Sequence, residues 1–383
     1  MRIGIDIRCL AEGRRTGVEE YTLGLLKELL HSGGDHQYVL FFNSWKPAPR
    51  LLQALTHHDN VTLRAYRFPN KLLNFCLWYL RFPTLDWLMG GVDVVFLPNQ
   101  NFVGVSRHVP LVVTAHDLSF ELFPETFSWK QRLWHYFVNF RGLTKRATRV
   151  IAVSQSTKSD IVNAYGTREN KVVVIPSGYD TRLGVIDRNN QSLLVVQKRY
   201  SLPFKYVLSF ATFEPRKNLI SVIEAYEEFV LQNPTSPYHL VLAGSPGWEK
   251  RALYQRIRSS KVYDKIHLIG FVEEADKAAV YNLASVFVYP SVYEGFGFPP
   301  LEAMACGVPV IVSHSSSLPE LVVDAGILVD PYRPQEIFDA LEALLKETEL
   351  AQLLSKRGLE RVKNYSWSKT AASTLALFEG LQK

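Results

Sequence analysis

Cysteine is scarce in this chain. Cys9, Cys76 and Cys306 stand far apart, with no C-x-x-C pair and no Cys/His cluster. That excludes a disulfide framework and a structural zinc of the usual spacing, and fits a reducing cytosol. Long apolar runs are missing too. The richest, FCLWYL (Phe75 to Leu80), stops at Arg81 and Pro83, well short of the ~20 residues a spanning helix needs. The opening MRIGIDIRCL alternates like a strand and lacks the basic and apolar regions of a secretory leader, so a cytoplasmic protein is expected. There is no D-x-D to hold a divalent ion against a diphosphate, no G-x-G-x-x-G, no internal repeat and no low-complexity segment.

Acidic residues are absent from two stretches, Val61 to Leu85 and Thr126 to Ser159. The second holds Lys130, Arg132, Arg141, Lys145, Arg146, Arg149 and Lys158 among Trp129, Trp134, Tyr136, Phe137 and Phe140. The imbalance belongs to one half of the chain. Residues 1–178 carry 21 Lys+Arg against 14 Asp+Glu, or +7, and the rest carry 22 against 23, or −1, giving the total of +6. Positive charge mixed with aromatics suits an anionic surface, whether phospholipid, nucleic acid or a pyrophosphate-linked acceptor. The alternative is a packed helix whose aromatic stripe belongs to the core.

What is present reads as two α/β domains. A chain of 383 residues exceeds one ordinary core, and two domains of about 150–200 residues are expected. Buried strands are predicted at RIGIDI, YVLFFN, VTLRAYR, VDVVFLP, PLVVTAHD, RVIAVS and KVVVIP, then at YVLSFA, HLVLAG, IHLIGF, VFVYPS, VPVIVS and GILVD. Such Val/Ile/Leu runs between helical patterns indicate parallel strands covered on both faces. Two series in tandem predict two doubly wound, Rossmann-like domains facing a cleft, over residues 1–178 and 205–364, joined by a polar linker over 179–204.

Ligands in such sheets bind beyond the carboxyl ends of strands, so candidate residues should follow strands. Gly13 and Gly17 precede the first helix, whose N-terminal amides could meet a phosphate, although a plain turn glycine fits equally. His116 ends the fifth strand, where a structural role competes with a catalytic one. Arg216 and Lys217 sit at a helix start, where the dipole disfavours cations and a diphosphate would supply the missing anion. In SVYEGFGFPPLEAMACGVPVIVS, Glu294 follows a strand and Glu302 lies eight residues on. Gly295 and Gly297 permit close backbone approach, and amides near Phe296 and Phe298 suit a negative group. A carboxylate accepts two hydrogen bonds at once and so suits vicinal sugar hydroxyls. A helix-dipole partner and a solvated loop residue are the plain alternatives for Glu302 and Glu294.

EGFGFPPLEAMACGVPVI resembles the E-x7-E signature of family four of the retaining glycosyltransferases, which have the GT-B fold. GVEEYTLGLLKEL, VVTAHDLSFELFPETF, RVIAVSQSTKSDI, VLSFATFEPRKNL, SSLPELVVDAGILVDP and YSWSKTA extend the resemblance over nearly the whole chain. It implies transfer of a sugar from a nucleotide-sugar donor to an acceptor hydroxyl with retention, and the lack of a D-x-D favours transfer without a metal or other cofactor. Glu294 would bind donor-sugar hydroxyls, Glu302 the ribose, and Lys217 with Arg216 the diphosphate, while His116 would reach the sugar. The donor would lie along Gly17, Thr212, Phe271, Val272, Gly295, Phe296, Gly297, Phe298 and Leu301. Thr212 stands where the family often has arginine, which shifts the charge work onto Arg216 and Lys217. The helix over 365–383 would cross back to the first domain. The style of HDLSFELFPE and EPRKN is similar to bacterial mannosyl- and hexosyltransferases of surface-polysaccharide assembly, favouring GDP-mannose over UDP-hexoses. A saccharide or polyprenyl-linked acceptor and peripheral contact with an anionic cytoplasmic membrane face, but no nucleic-acid partner, complete the expectation. A GT-B sugar-nucleotide 2-epimerase and a non-catalytic glycosyltransferase-like binding partner are the rival readings.

Overall fold

The computed structural model describes residues 1–11, 17–32, 34–46, 52, 55, 58–245, 247 and 250–382, with the side chains of residues 32 and 250 excepted. The chain divides into two compact units, one of Met1–Leu122, Trp129–Gly178 and Tyr365–Lys383, the other of Phe123–Ser128 and Tyr179–Asn364.

The first unit starts with β1 (Arg2–Asp6), α1 (Gly17–Ser32), β2 (Gln37–Asn43) and β3 (Val61–Tyr66). Then come α2 (Asn70–Phe75), β4 (Val94–Leu97), β5 (Leu111–Ala115), α3 (Trp129–Val138) and α4 (Phe140–Arg146). β6 (Arg149–Ala152), α5 (Gln155–Tyr165) and β7 (Val172–Val174) complete its chain-ordered part. The seven strands form one parallel sheet in the order β3-β2-β1-β4-β5-β6-β7. β4 and β5 are buried at every position, which is why their sequences are unbroken apolar runs rather than alternating ones. Each such Val or Leu contributes about 1.5–3 kcal/mol of burial.

The second unit runs α6 (Gln191–Arg199), β8 (Tyr206–Phe210), α7 (Leu219–Gln232), β9 (His239–Ala243) and β10 (Ile266–Gly270). It continues with α8 (Glu274–Asn282), β11 (Val286–Tyr289), α9 (Phe298–Ala305) and β12 (Val310–Ser313). It ends with β13 (Gly326–Val329), α10 (Pro334–Lys346) and α11 (Thr348–Val362). Its six strands are also all parallel, ordered β10-β9-β8-β11-β12-β13. All thirteen expected strands are present. The segment 179–204 differs from the expected linker: it carries α6 and groups with the second unit. Asn190 caps α6 by accepting from the amide of Ser192, and Leu193 and Val196 are buried while the remaining positions, including the apolar Leu194 and Val195, are not.

The last helix, α12 (Trp367–Glu379), joins the first unit and packs along α1. Gly24 makes that approach possible, since a Cβ there would lie 2.2 Å from Cε2 of Trp367. Trp367 meets Tyr21 edge-on at 5.8 Å, and Phe378 meets Phe96 at 5.3 Å.

Candidate functional site

In the second unit the β8 and β11 strand ends bring Arg216, Lys217 and Glu294 together. After β8 the chain makes a tight 3-10 turn, Pro215–Lys217, and Asn218 in the left-handed region opens α7. The Asn218 side chain donates to the carbonyls of Pro290 (3.3 Å) and Pro331 (2.6 Å), tying this turn to the segments after β11 and β13. Val292 N–H donates to the Arg216 carbonyl at 2.9 Å. The two loops are thereby locked side by side.

Glu294 is 8% exposed. Its Oε1 accepts from Lys217 Nζ at 2.5 Å, Ser291 Oγ at 2.7 Å and Tyr289 Oη at 2.9 Å, while Arg216 Nη1 stands 3.1 Å from Oε2. Burial alone would raise its pKa, but the charges of Arg216 and Lys217 and these hydrogen bonds bring it down to about 2. Burial, then the neighbouring Arg216 charge, lowers the pKa of Lys217, with Glu294 opposing. The helix-start cations therefore have a protein anion. Glu294 occupies the role that the sequence assigned to a diphosphate.

Glu302 lies on α9, which starts at Gly297 with φ of 107°. A Cβ at Gly297 would come within 2.8 Å of Leu318, so only glycine suits both the turn and the space. Pro299 and Pro300 lack N–H groups, which confines backbone donors at this helix start to Phe298 and the residues before it. Glu302 is 1% exposed. Its Oε1 pairs with Lys277 Nζ, and its Oε2 accepts from Tyr281 Oη at 2.8 Å. Burial raises the pKa of Glu302, with Lys277 opposing. Glu302 and Glu294 thus belong to two separate polar clusters. Leu301 is fully buried in the core.

Thr212 is exposed just beyond β8. Phe271 is 59% exposed after β10 and Val272 is buried, and the Glu273 amide donates to Tyr200 Oη at 3.1 Å. In the first unit, Gly17 is the exposed first residue of α1, and Gly13 lies outside the described residues. His116 follows β5, and its Nε2 lies 2.8 Å from the Pro98 carbonyl. A carbonyl only accepts, so a neutral ring carries its proton on Nε2 and its lone pair on Nδ1. Burial lowers the pKa of His116 and favours that neutral form, although the Pro98 contact opposes it. Tyr21 braces the ring edge-on at 4.8 Å.

Sequence reasoning missed Lys277, Tyr281, Tyr289 and Ser291. Lys277 and Tyr281 are four apart and so share one helix face. Tyr289 and Ser291 flank the end of the strand that leads to Glu294.

Among the described residues, no helix is long and apolar enough to cross a membrane. Residues 15–183 match the family described as Glycosyltransferase Family 4, and residues 197–361 match Glycosyl transferases group 1. The chain is 32% identical over 369 residues to O-antigen chain mannosyltransferase B of Escherichia coli, covering 95% of this chain and 96% of that one. It is 31% identical over 262 residues to the serotype-specific mannosyltransferase WbdA of Escherichia coli, covering 68% of this chain and 32% of that protein. Among solved structures, HepE of Anabaena in complex with UDP and glucose is similar with a TM-score of 0.74 and 20% identity, covering 99% of this chain and 100% of that one. A sucrose-phosphate synthase from Thermosynechococcus elongatus gives 0.74 and 21%, over 99% and 98%. Two all-parallel Rossmann-like sheets and a relative matched end to end place this chain in the family-four glycosyltransferases, enzymes of the GT-B fold.

Proposed function

We propose that the chain transfers mannose from GDP-mannose, with retention and without a metal, to a saccharide or lipid-linked acceptor of surface-polysaccharide assembly. The observation that supports the charge chemistry is the Arg216–Lys217 pair held at strand ends against Glu294, with Glu214 3.6 Å from Arg216 on its other side. Departure of a nucleoside diphosphate builds negative charge on the β-phosphate, and preorganised cations stabilise that charge most where water is excluded. Lys217 and Arg216 supply it, with amides around Phe298 and Gly17 as further donors. The leaving phosphate oxygen takes the acceptor proton as the new glycosidic bond forms on the face it leaves. Glu294 accepts from donor-sugar hydroxyls, and Glu302 from the ribose. His116 offers its Nδ1 lone pair to a sugar hydroxyl. Thr212, Phe271, Val272 and the turn Gly295, Phe296 and Gly297 line the donor, with base recognition by backbone groups near Phe271. Leu301 supports Glu302 from the core.

Mannose is favoured because both relatives named above are mannosyltransferases. Metal independence rests on the cationic pair and on a sequence without D-x-D. The protein is placed at the cytoplasmic membrane face, in peripheral contact through the basic, aromatic surface of the first unit. A donor panel tests the reading. A ligand at 100 times its Kd stabilises by about 2.7 kcal/mol, so GDP-mannose should raise Tm by several degrees and UDP-glucose by less. Stabilisation by UDP-sugars alone would overturn the donor assignment, and no transfer of radiolabelled mannose with a stabilising donor would overturn the activity.

A further inference from the structure

Glu302 sits in surroundings that favour a neutral acid. Its own helix places Pro300, Leu301, Ala303, Met304 and Ala305 around it, all buried. Cys306, next on the same helix, has a thiol pushed up to about 12 by burial and by the Glu302 charge, and so contributes no cation. From α8, Lys277 and Tyr281 reach the two carboxylate oxygens from one helix face, while Glu274, one turn earlier, pushes the Glu302 pKa further up. From α11, which packs against α9, Arg361 donates instead to the carbonyls of Glu320 and Leu321, and Arg357 to that of Asp324. Lys277 pairs directly with Glu302.

Lys277 is itself held in place. Its Nζ lies 5.9 Å from the ring centroid of Phe210, the last residue of β8, and Tyr281 stacks on the same ring at 5.6 Å. An ionised carboxylate has about four lone-pair sites. Lys277 and Tyr281 use two of them, one on each oxygen. Two acceptor sites remain, one per oxygen, which is what a pair of vicinal hydroxyls requires. A protonated Glu302 would turn one oxygen into a donor and break that match.

We propose that Lys277 is a positioning residue for donor binding, holding Glu302 as an oriented carboxylate with an acceptor site open on each oxygen for the paired ribose hydroxyls. This rests on the reading of Glu302 as the ribose ligand. Nothing in the E-x7-E signature points to Lys277, which precedes the signature by seventeen residues, counting from Lys277 to Glu294.

The test compares wild type with Lys277→Met, Lys277→Arg and Glu302→Gln, with Lys277→Gln as a milder neutral variant. Calorimetry measures GDP binding from pH 6 to 9, and urea midpoints are recorded over the same range without nucleotide. In Lys277→Met, burial acts on Glu302 without the opposing Lys277 charge and raises its pKa further above the ordinary carboxylate value. GDP affinity relative to wild type then falls about tenfold per pH unit on the acid side, because one proton must leave before binding. Taking the ratio to wild type cancels the titration of GDP itself. Without nucleotide, the folded pKa of Glu302, already raised by burial in wild type, lies higher still, so Lys277→Met loses stability relative to wild type as pH rises through that higher folded pKa. Lys277→Arg keeps the charge and follows wild type in both measurements. A loss of GDP affinity in Lys277→Met that is equal at every pH, with urea midpoints parallel to wild type, overturns the proposal and makes Lys277 a direct ligand. Unchanged GDP affinity in Glu302→Gln, with the urea midpoints of Lys277→Met still shifting with pH, overturns the ribose reading and leaves the hold on Glu302 standing.

Discussion

Lys217 donates to Glu294 at 2.5 Å across 77 residues of sequence, joining the turn after β8 to the loop after β11. Arg216 adds a second cation at 3.1 Å. In the ligand-free protein these charges satisfy one another in a buried setting. On the proposed reading, an arriving diphosphate would compete for the cations and let Glu294 turn its oxygens to sugar hydroxyls.

Lys217→Ala is therefore expected to lower kcat and kcat/KM together, by about 10²–10³-fold, the usual cost of removing one preorganised charge-stabilising donor. Arg216 still faces Glu294 in this variant, so the fold survives. Steady-state kinetics at saturating donor decide the point: a raised KM with unchanged kcat would make Lys217 a ground-state binder only.

Acid stability should report on Glu294. Its folded pKa, about 2, lies below the ordinary value of 4.5. A depressed carboxylate contributes stability that is complete above 4.5 and lost as pH falls through about 2. That gap corresponds to about 3 kcal/mol. Glu294→Gln leaves the buried Lys217 without its carboxylate and Arg216 with Glu214 alone, so its urea midpoint lies well below wild type at pH 6. The difference should narrow steadily towards pH 2.5. A constant difference across that range would show that Glu294 is not held as a carboxylate by Arg216 and Lys217.

The central strands were legible in sequence because buried parallel strands are written as mostly apolar runs, such as VVFL and LVVTA, and the edge strand VTLRAY, none of it buried, was legible by its alternation. The helix within 179–204 was not, because α6 buries only Leu193 and Val196 and its apolar residues fall in one run, LLVV, without a clear helical period. Arg216, Lys217 and Glu294 could be named separately as strand-end residues, but their pairing could not. It depends on β8 lying beside β11, a neighbour relation set by the sheet order and not by chain distance. Lys277 was invisible for a related reason. A lysine on an ordinary helix looks solvated until the sheet brings Glu302 against it.

Chelation should leave the enzyme active. If Arg216 and Lys217 neutralise the leaving diphosphate as proposed, a divalent ion adds little charge stabilisation. Transfer rates measured with excess EDTA should lie within about twofold of those with added Mg²⁺, well under the tenfold that 1.4 kcal/mol of barrier represents. Complete loss with EDTA, restored by Mg²⁺ or Mn²⁺, would overturn the metal-free mechanism.

The first unit should bind anionic membranes. Beyond β3, α2 and the turn after it expose Leu72, Phe75, Tyr79 and Leu80, and Phe82 and Trp87 are 65% and 63% exposed nearby. Trp78, half-buried, meets Phe137 of α3 at 5.3 Å, so the two segments form one surface. On α3, Trp129 and Tyr136 are exposed at 69% and 76%, whereas Val138 and Phe140 are buried. The core-stripe alternative thus holds for the end of α3 and the start of α4, and fails for the rest of α3. Lys71, Arg81, Lys130, Arg132, Arg141 and Lys145 are exposed around these aromatics. Each cation near an anionic surface contributes about 1 kcal/mol, screened by salt, and exposed tryptophan and tyrosine suit the headgroup region. Co-sedimentation should show binding to phosphatidylglycerol-containing vesicles, weak binding to phosphatidylcholine, and release by roughly molar salt, where the Debye length shrinks to about 3 Å. Lys130→Glu with Arg132→Glu should weaken binding to anionic vesicles, and Trp87→Ser should weaken it without altering the salt dependence. Equal partitioning to both vesicle types, or to neither, would assign this surface to a protein partner instead.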